Sequence, residues 1–334
     1  MTSTFIALTP TYKPVGGVVK VFDYVNHARD RGMPVRIHCP DEFDEELPLF
    51  QSDRFAPLLE DARVTFERGM RLGPEMEDIV FFSWPTHWQD IAPRLPRGMS
   101  HERVVHIIQN VRHANPKWIR GYATRLLARP MSRILIVPQV LEVVTPYLHP
   151  DSLSEVILEG HDWPYFSKQR TGGIDSPLRV AYTTWKSDVG IEVENRLGHD
   201  ERFEFRSIRS TVGWPALREL YHWSDVFLAT PLPEEGFYLP GLEAMAAGAL
   251  VITSDAGGNR AYCHFGENCL EVQMESPDSY VSALESLADT SDLDIAAMRD
   301  SAYVTLGAHT LEAESAAFDG FLDTVEQRSS QAPR

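Results

Sequence analysis

Positive charge is scarce in this sequence: 31 lysines and arginines stand against 48 aspartates and glutamates, a formal charge of −17 over 334 residues. That balance excludes a general basic surface for nucleic acid or for an anionic membrane, and leaves room only for a local basic site. Cysteine is scarcer still. Cys39, Cys263 and Cys269 form neither a C-x-x-C pair nor an even framework, so free thiols in a reducing compartment are expected. No uninterrupted apolar run approaches the roughly eighteen residues of a membrane span. The apolar run in MTSTFIALTPTYK is too short for a secretory signal. The expectation is a soluble, cytoplasmic protein whose membrane contact is at most peripheral. Long-period repeats and low-complexity tracts are missing as well. Metal motifs are poor: the single D-x-D is Asp292-Leu293-Asp294, away from any strand end and readable as a helix cap. HERVVH (101–106) spaces its histidines one residue too far apart for the metalloprotease helix. No metal and no cofactor are expected.

What is present is a long chain with 43% hydrophobic residues, enough for two cores. TFIAL (4–8), PVRIHC (34–39), IVFFSW (79–84), RVVHIIQN (103–110) and ILIVPQ (134–139) read as strands. Helices are expected after Gly17, where Val18, Val21, Phe22, Val25 and Ala28 share a face, and over 119–133 and 140–148. Residues 40–78 are acidic and poorly periodic and read as mixed loops, strand and helix. A polar, turn-rich linker at 167–177 precedes a second set of strands at 178–185, 202–208 and 224–230. Helical patterns follow at 216–223, 277–306 and 309–327. Strands alternating with helices imply doubly wound, Rossmann-like α/β domains. Trp84, Trp88, Trp118, Trp163, Trp185 and Trp214 fall near proposed loops, where sugar stacking competes with ordinary core packing.

The densest signal is residues 231–258, PLPEEGFYLPGLEAMAAGALVITSDAGG. It reads as a loop, a short helix opened by Pro240 and closed by Gly248, a buried strand (249–253) and a Gly257-Gly258 turn at the strand's carboxyl end. Open α/β sheets bind ligands there. Glu235 falls in the loop and Glu243 in what reads as the first helical turn, seven residues intervening. A carboxylate near the positive end of a helix stays ionised and accepts both hydroxyls of a vicinal diol. By spacing alone, a helix cap plus an exposed loop acid fits equally well.

The whole string EGFYLPGLEAMAAGALVITSDAGG resembles the Glu-x7-Glu segment of the retaining glycosyltransferases of family 4, which have the GT-B fold. The agreement runs through Glu235, Gly236, Phe237, Leu239, Pro240, Leu242, Glu243, Ala244, Met245, Ala246, Gly248, Val251, Gly257 and Gly258. The resemblance implies two Rossmann-like domains facing an interdomain cleft: an acceptor-binding domain over 1–170 and a nucleotide-sugar domain over 171–308. It further implies that the last helix (309–327) crosses back onto the first domain, ahead of a disordered tail at 328–334. A nucleotide-diphosphate sugar, UDP- or GDP-linked, is the implied co-substrate. A hydroxyl of a glycan, glycoconjugate or small molecule is the acceptor, and anomeric configuration is retained.

Residue by residue, the resemblance puts Glu235 and Lys186 in catalysis. It puts Gly16, Gly17, Lys186, Glu235, Gly236, Phe237, Leu239, Glu243, Gly257, Gly258 and Arg260 around the donor, with Glu243 on the ribose and Lys13 as a further phosphate counter-charge. His87, Gln109 and His113 are acceptor-side candidates on loops after first-domain strands; His106 reads as a core histidine. Departures from the pattern are specific. Thr183 and Thr184 stand where the basic partner of Lys186 is usual, Ala261 stands where glutamate is common, and no histidine ends the strand at Gln109-Asn110. Two rival readings stay open: a catalytically silent GT-B module that binds nucleotide sugars or serves as a partner subunit, and a sugar-nucleotide epimerase. A glycan phosphorylase is disfavoured because nothing resembles a pyridoxal phosphate lysine site.

Overall fold

A computed structural model describes residues 3–114, 122–170, 176–233, 235–288 and 290–331. The chain divides into two compact units, one of Met1–Leu158 with Leu311–Arg334, the other of Glu159–Thr310.

The first unit is built on seven strands, β1 (Phe5–Leu8), β2 (Val35–Cys39), β3 (Val64–Arg68), β4 (Ile79–Phe82), β5 (Val104–Ile108), β6 (Ser132–Leu135) and β7 (Ser154–Val156). They lie in the order β3-β2-β1-β4-β5-β6-β7, every neighbouring pair parallel. Parallel strands covered on both faces have no polar side to present, which is why FIAL and IVFF are apolar throughout and wholly buried. The order of the strands reverses between β1 and β4, a topological switch point.

The Gly16–Asp30 helix buries the expected Val18, Val21, Phe22, Val25 and Ala28, and Gly32, at φ +92°, lets the chain turn back into β2. The same helix also buries charge. Lys20 Nζ lies 2.9 Å from Asp23 and 3.0 Å from Glu314, and His27 Nε2 lies 3.0 Å from the other oxygen of Glu314. Arg54 completes the group on Asp23. Burial alone would raise the Asp23 carboxyl, but Arg54, Lys20 and His27 hold it below the usual aspartate range. Glu314 comes from the last helix, Leu311–Gln331, whose Phe318, Phe321, Leu322 and Val325 are buried; Phe318 meets Tyr24 edge-on at 4.9 Å.

Two expectations need correction in this unit. Residues 328–331, expected to be a disordered tail, continue the last helix; the rest of that tail, 332–334, lies outside the described residues. The helix expected over 119–133 is described only as Tyr122–Leu127, with 119–121 and Trp118 outside the described residues. Pro130 cannot continue a helix and disfavours helical backbone before it. Arg133 then folds back, its Nη2 donating to the carbonyls of Leu126 (2.8 Å) and Arg129 (3.2 Å). The acidic stretch 40–78, read as mixed loops, strand and helix, holds the short Pro57–Glu60 helix, the strand β3 and an aromatic cluster. Tyr12 packs against Phe43, Phe50 and Phe66, with Phe43 stacked on Phe66 at 4.1 Å.

The second unit carries β8 (Leu178–Thr183), β9 (Phe203–Ile208), β10 (Val226–Ala229), β11 (Leu250–Ser254) and β12 (Cys269–Val272), in the order β12-β11-β10-β8-β9. All pairs are parallel, and the order reverses between β8 and β10. Its core gathers Val180, Tyr182, Val226, Leu228, Leu250 and Ile252 from the sheet with Val193, Tyr280 and Leu284 from covering helices. The helical pattern over 277–306 is two helices, Pro277–Ala288 and Asp292–Leu306. Ser291 caps the second, its side chain accepting from the Asp294 N–H, so Asp292-Leu293-Asp294 is a helix start. The Val189–Leu197 helix and β12 were not legible as elements.

The unit begins at Glu159, ahead of the expected boundary at 170. The reason is local bonding: the Lys168 N–H donates to Ala246 O (3.1 Å), and Arg170 pairs with Asp225 (2.7 Å). Residues 171–175 of the expected linker lie outside the described residues. Cys39, Cys263 and Cys269 are buried free thiols. Among the described residues, no helix is long and apolar enough to cross a membrane.

Candidate active site

In the second unit the loops that leave β8 and β10 meet at the strand-order reversal. Lys186 follows β8, Glu235 follows β10, and Lys186 Nζ lies 2.8 Å from Glu235 Oε1. The lysine is exposed and the glutamate half-buried (39% and 14%), so a cation stands in solvent at a ligand-binding position of an open parallel sheet.

The Glu235 loop is held from behind. Tyr238 adopts a left-handed backbone (φ 68°), unusual for a residue with a Cβ. Its hydroxyl accepts from the Thr230 N–H (3.3 Å), and its carbonyl accepts from the Tyr262 hydroxyl (2.7 Å). Phe237 is buried against Tyr262 and His309, with ring centres 5.0 and 5.1 Å away. Its side chain therefore shapes the loop from the core side. Gly236 and Leu239 flank it, and the helix runs Leu239–Ala246 with Pro240 in its first turn.

The Gly257-Gly258 turn abuts this loop. Gly257 has φ +83°, and the Gly258 N–H donates to Glu235 O at 3.2 Å. A Cβ on Gly258 would stand 1.9 Å from Gly236 O, backbone against backbone, which no rotamer change relieves. Gly258→Ala is accordingly expected to lower stability by about 1–3 kcal/mol through overpacking, and to displace the loop that carries Glu235. Urea denaturation measures the first effect; a midpoint equal to that of the parent protein would show that the two loops part freely.

Arg260 follows this turn, exposed and ion-paired with Asp255, whose oxygens lie 2.5–3.0 Å from the guanidinium. Hydrogen bonding to Arg260 holds the Asp255 carboxyl below its usual range. As a phosphate ligand, Arg260 would have to exchange this partner.

Glu243 differs from expectation. The helix starts at Leu239, so Glu243 lies a full turn in, beyond the residues that feel the unsatisfied N–H groups most strongly. It is buried (4% exposed). His161 Nε2 lies 2.9 Å from one carboxylate oxygen, and the Tyr221 hydroxyl donates to the other at 3.0 Å. Burial and the neighbouring Glu243 push the Tyr221 hydroxyl far above its ordinary pKa, which keeps it a donor. His161 and Tyr221 were missed in the sequence because their spacing to Glu243 is long and follows no local period.

The first unit brings together part of the remaining set. Gly16 and Gly17 open the Gly16–Asp30 helix. Gln109 Nε2 donates to Gly17 O (3.1 Å) and to Ser83 Oγ (2.9 Å), and a Cβ on Gly17 would meet Gln109 and Trp84 at 3.2 Å. Gly17 and Gln109 are thus neighbours at the β1/β4 reversal.

His87 and His113, expected on loops open to an acceptor, are instead buried (5% and 7%). His113 stacks on His106 (5.3 Å), which stacks on Phe82 (4.6 Å). His106 itself is a core histidine, bonded to Ser83 O (3.1 Å) and to Arg133 Nη1 (3.0 Å). Burial lowers His87 and His113 to about 4 each. The C-terminal carbonyls of the Tyr122–Leu127 helix accept from the Arg133 guanidinium, which explains how a buried arginine is tolerated there. Its pKa still falls to about 9 through burial.

These histidines make an acid-labile core. Unfolded imidazoles titrate near 6.5, so between about pH 6.5 and 4 the unfolded chain binds more protons than the native one. Stability is therefore full above pH 6.5 and lost as pH falls toward 4, by roughly 2 kcal/mol per histidine at pH 5. Urea titrations at pH 7.5 and 5 check this, and His113→Gln should flatten the dependence. Identical slopes in parent and variant would remove His113 from the account.

Residues 189–290 match the family model of the glycosyl transferases group 1. Over 102 residues the chain is 34% identical to the D-inositol 3-phosphate glycosyltransferase of Rhodococcus erythropolis, a stretch covering 30% of this chain and 22% of that protein. The chain thus matches only about a fifth of that relative's length. Among solved structures, Anabaena HepE in complex with UDP and glucose superposes with a TM-score of 0.71 at 14% identity, over 96% of this chain and 100% of that one. Sucrose-phosphate synthase from Thermosynechococcus elongatus gives 0.69 at 14% identity, over 97% and 100%. The chain therefore has the GT-B fold, two parallel-sheet α/β units, and carries a glycosyl transferases group 1 segment within the second.

Proposed function

We propose that this protein is a retaining, metal-independent glycosyltransferase of the family 4 type, moving a hexose-type sugar from a UDP- or GDP-linked donor to a hydroxyl of a glycan, glycoconjugate or small molecule. The observation that carries the reading is the Lys186–Glu235 pair at the β8/β10 reversal, in the unit that matches the group 1 model. Transfer requires a diphosphate leaving group to be stabilised and a sugar to be oriented. Lys186 is the group for the leaving phosphates. Glu235 accepts hydroxyls of the donor sugar, with Gly236, Leu239, Gly257 and Gly258 supplying close backbone approach. Glu243, clamped by His161 and Tyr221, retains further acceptor positions on each oxygen for the ribose diol. The similarity to HepE, crystallised with UDP and with UDP-glucose, supports a nucleoside diphosphate donor. Gly16, Gly17 and Gln109 belong to the donor-diphosphate and acceptor side in this reading, in a cytoplasmic enzyme.

A second reading, a silent nucleotide-sugar-binding module, is favoured by Thr183, Thr184 and Ala261 at positions where charged residues are usual. Calorimetry with UDP-glucose and GDP-mannose, followed by assay of nucleoside diphosphate release over an acceptor panel, separates the two. Binding with release supports transfer, and binding without any release supports the silent module. No binding of either donor would refute both.

A further inference from the structure

A surface pocket of the second unit lies apart from the Lys186–Glu235 pair. It offers about 400 Å³, open to solvent, and is lined by Tyr165, Pro215, Arg218, Glu219, His222 and Trp223, within the size range of small-ligand sites. Five of these six come from the Trp214–Trp223 helix. They recur at the three- and four-residue spacing of one face, while Leu217, Leu220 and Tyr221 turn inward. The sixth, Tyr165, comes from the short Trp163–Phe166 helix.

The side chains are set in place by their neighbours. The Arg218 guanidinium lies over the Tyr165 ring, 5.0 Å from its centre, and Arg206 lies over Trp223 at 4.2 Å. Such stacking orients a guanidinium while leaving its in-plane N–H groups to donate. His222 Nε2 is 2.8 Å from Phe166 O; donation there fixes the neutral ring with Nδ1 as an acceptor. Lys168 and Arg170 both donate to His222 O, each at 2.7 Å. Burial first, and then the charges of Arg218, Lys168 and Arg170, lower the His222 pKa, which keeps its ring neutral beside the Arg218 guanidinium and the Glu219 carboxylate.

An aromatic face beside fixed polar groups suits a sugar ring, whose C–H edge meets the negative face of the aromatic ring. Arg218 supplies bidentate donors for an anion. Glu219 and His222 supply hydroxyl acceptors. We propose that this cavity is a second saccharide site, separate from the donor site, that takes an acidic sugar: the ring on Tyr165 or Trp223, its carboxylate or phosphate on Arg218. The assignment rests on the lining side chains and stands whether or not the second unit transfers sugar.

The test is calorimetric titration of the full chain with trigalacturonate and with glucose 6-phosphate, using maltotriose and inorganic phosphate as controls. Saturable binding of at least one acidic sugar is expected, at least about tenfold tighter than either control, with a tenfold change corresponding to about 1.4 kcal/mol. Arg218→Ala, at an exposed position, should abolish the preference for acidic over neutral sugar, and Trp223→Ala should weaken both. Lys186→Ala should leave acidic-sugar binding unchanged. No saturable binding, equal binding of inorganic phosphate, or loss of binding in Lys186→Ala with retention in Arg218→Ala would each overturn the proposal.

Discussion

Replacing Glu314 by alanine is expected to destabilise the first unit by about 3–5 kcal/mol, the loss typical when one member of a buried ion pair is removed. Glu314 is 1% exposed, and its two oxygens take Lys20 Nζ and His27 Nε2 at 3.0 Å. Lys20 is itself 1% exposed and shares Asp23 with Arg54, so it loses the carboxylate of Glu314 with no exposed route to solvent. The variant thus leaves buried positive charge in excess and also frees the helix that closes the unit. Urea denaturation gives the size of the effect, and hydrogen exchange over Gly16–Asp30 and Leu311–Gln331 gives its place. The double variant Lys20→Met with Glu314→Leu should recover part of the loss, because an apolar pair carries no desolvation penalty. A loss below about 1 kcal/mol in Glu314→Ala, the range of exposed pairs, would mean that water reaches the cluster.

This network shows where sequence reasoning stopped. The central strands of both sheets were legible because they are apolar runs bounded by Gly, Pro or polar turns, as in FIAL and IVFF, whereas β12 was not. The last helix was legible through Phe318, Phe321, Leu322 and Val325, but its binding to the first unit also depends on Glu314, which by type reads as a solvent-facing acid. A strand within 40–78 was expected but not placed, because VTFER alternates only weakly and is half-buried at its edge. The candidate site divides in the same way. Glu235, Gly257 and Gly258 stood out from local spacing, and Lys186 from its position after a strand. The partners of Glu243 did not, since His161 and Tyr221 reach it only through tertiary packing. The burial of His87 and His113 was invisible for a related reason: His113 stacks on His106, which stacks on Phe82, and His87 packs beside Trp84, contacts that a position after a strand end does not reveal.

Lys186→Ala is expected to lower donor-dependent turnover by about 10²–10³-fold, the scale for losing one preorganised group that meets developing charge. In the proposed transfer, negative charge grows on the departing diphosphate as the donor's glycosidic bond breaks, and Lys186 is an exposed cation at the β8/β10 reversal. Glu235, 2.8 Å away, holds the ammonium in position before any ligand arrives. Glu235→Gln should therefore lower kcat more than it raises KM for the donor, because the amide still accepts a sugar hydroxyl but no longer fixes the lysine. Stability is the internal control. An ion pair with one partner this exposed contributes little to folding, so both variants should melt with the parent protein, unlike Gly258→Ala. Lys186→Arg keeps the charge but replaces a compact point donor by a planar fork, and partial activity is expected. Full turnover in Lys186→Ala would remove the lysine from the leaving-group role. An equal, complete loss in Lys186→Ala and Lys186→Arg, with donor affinity unchanged, would mean that geometry at the ammonium, rather than its charge, sets the rate.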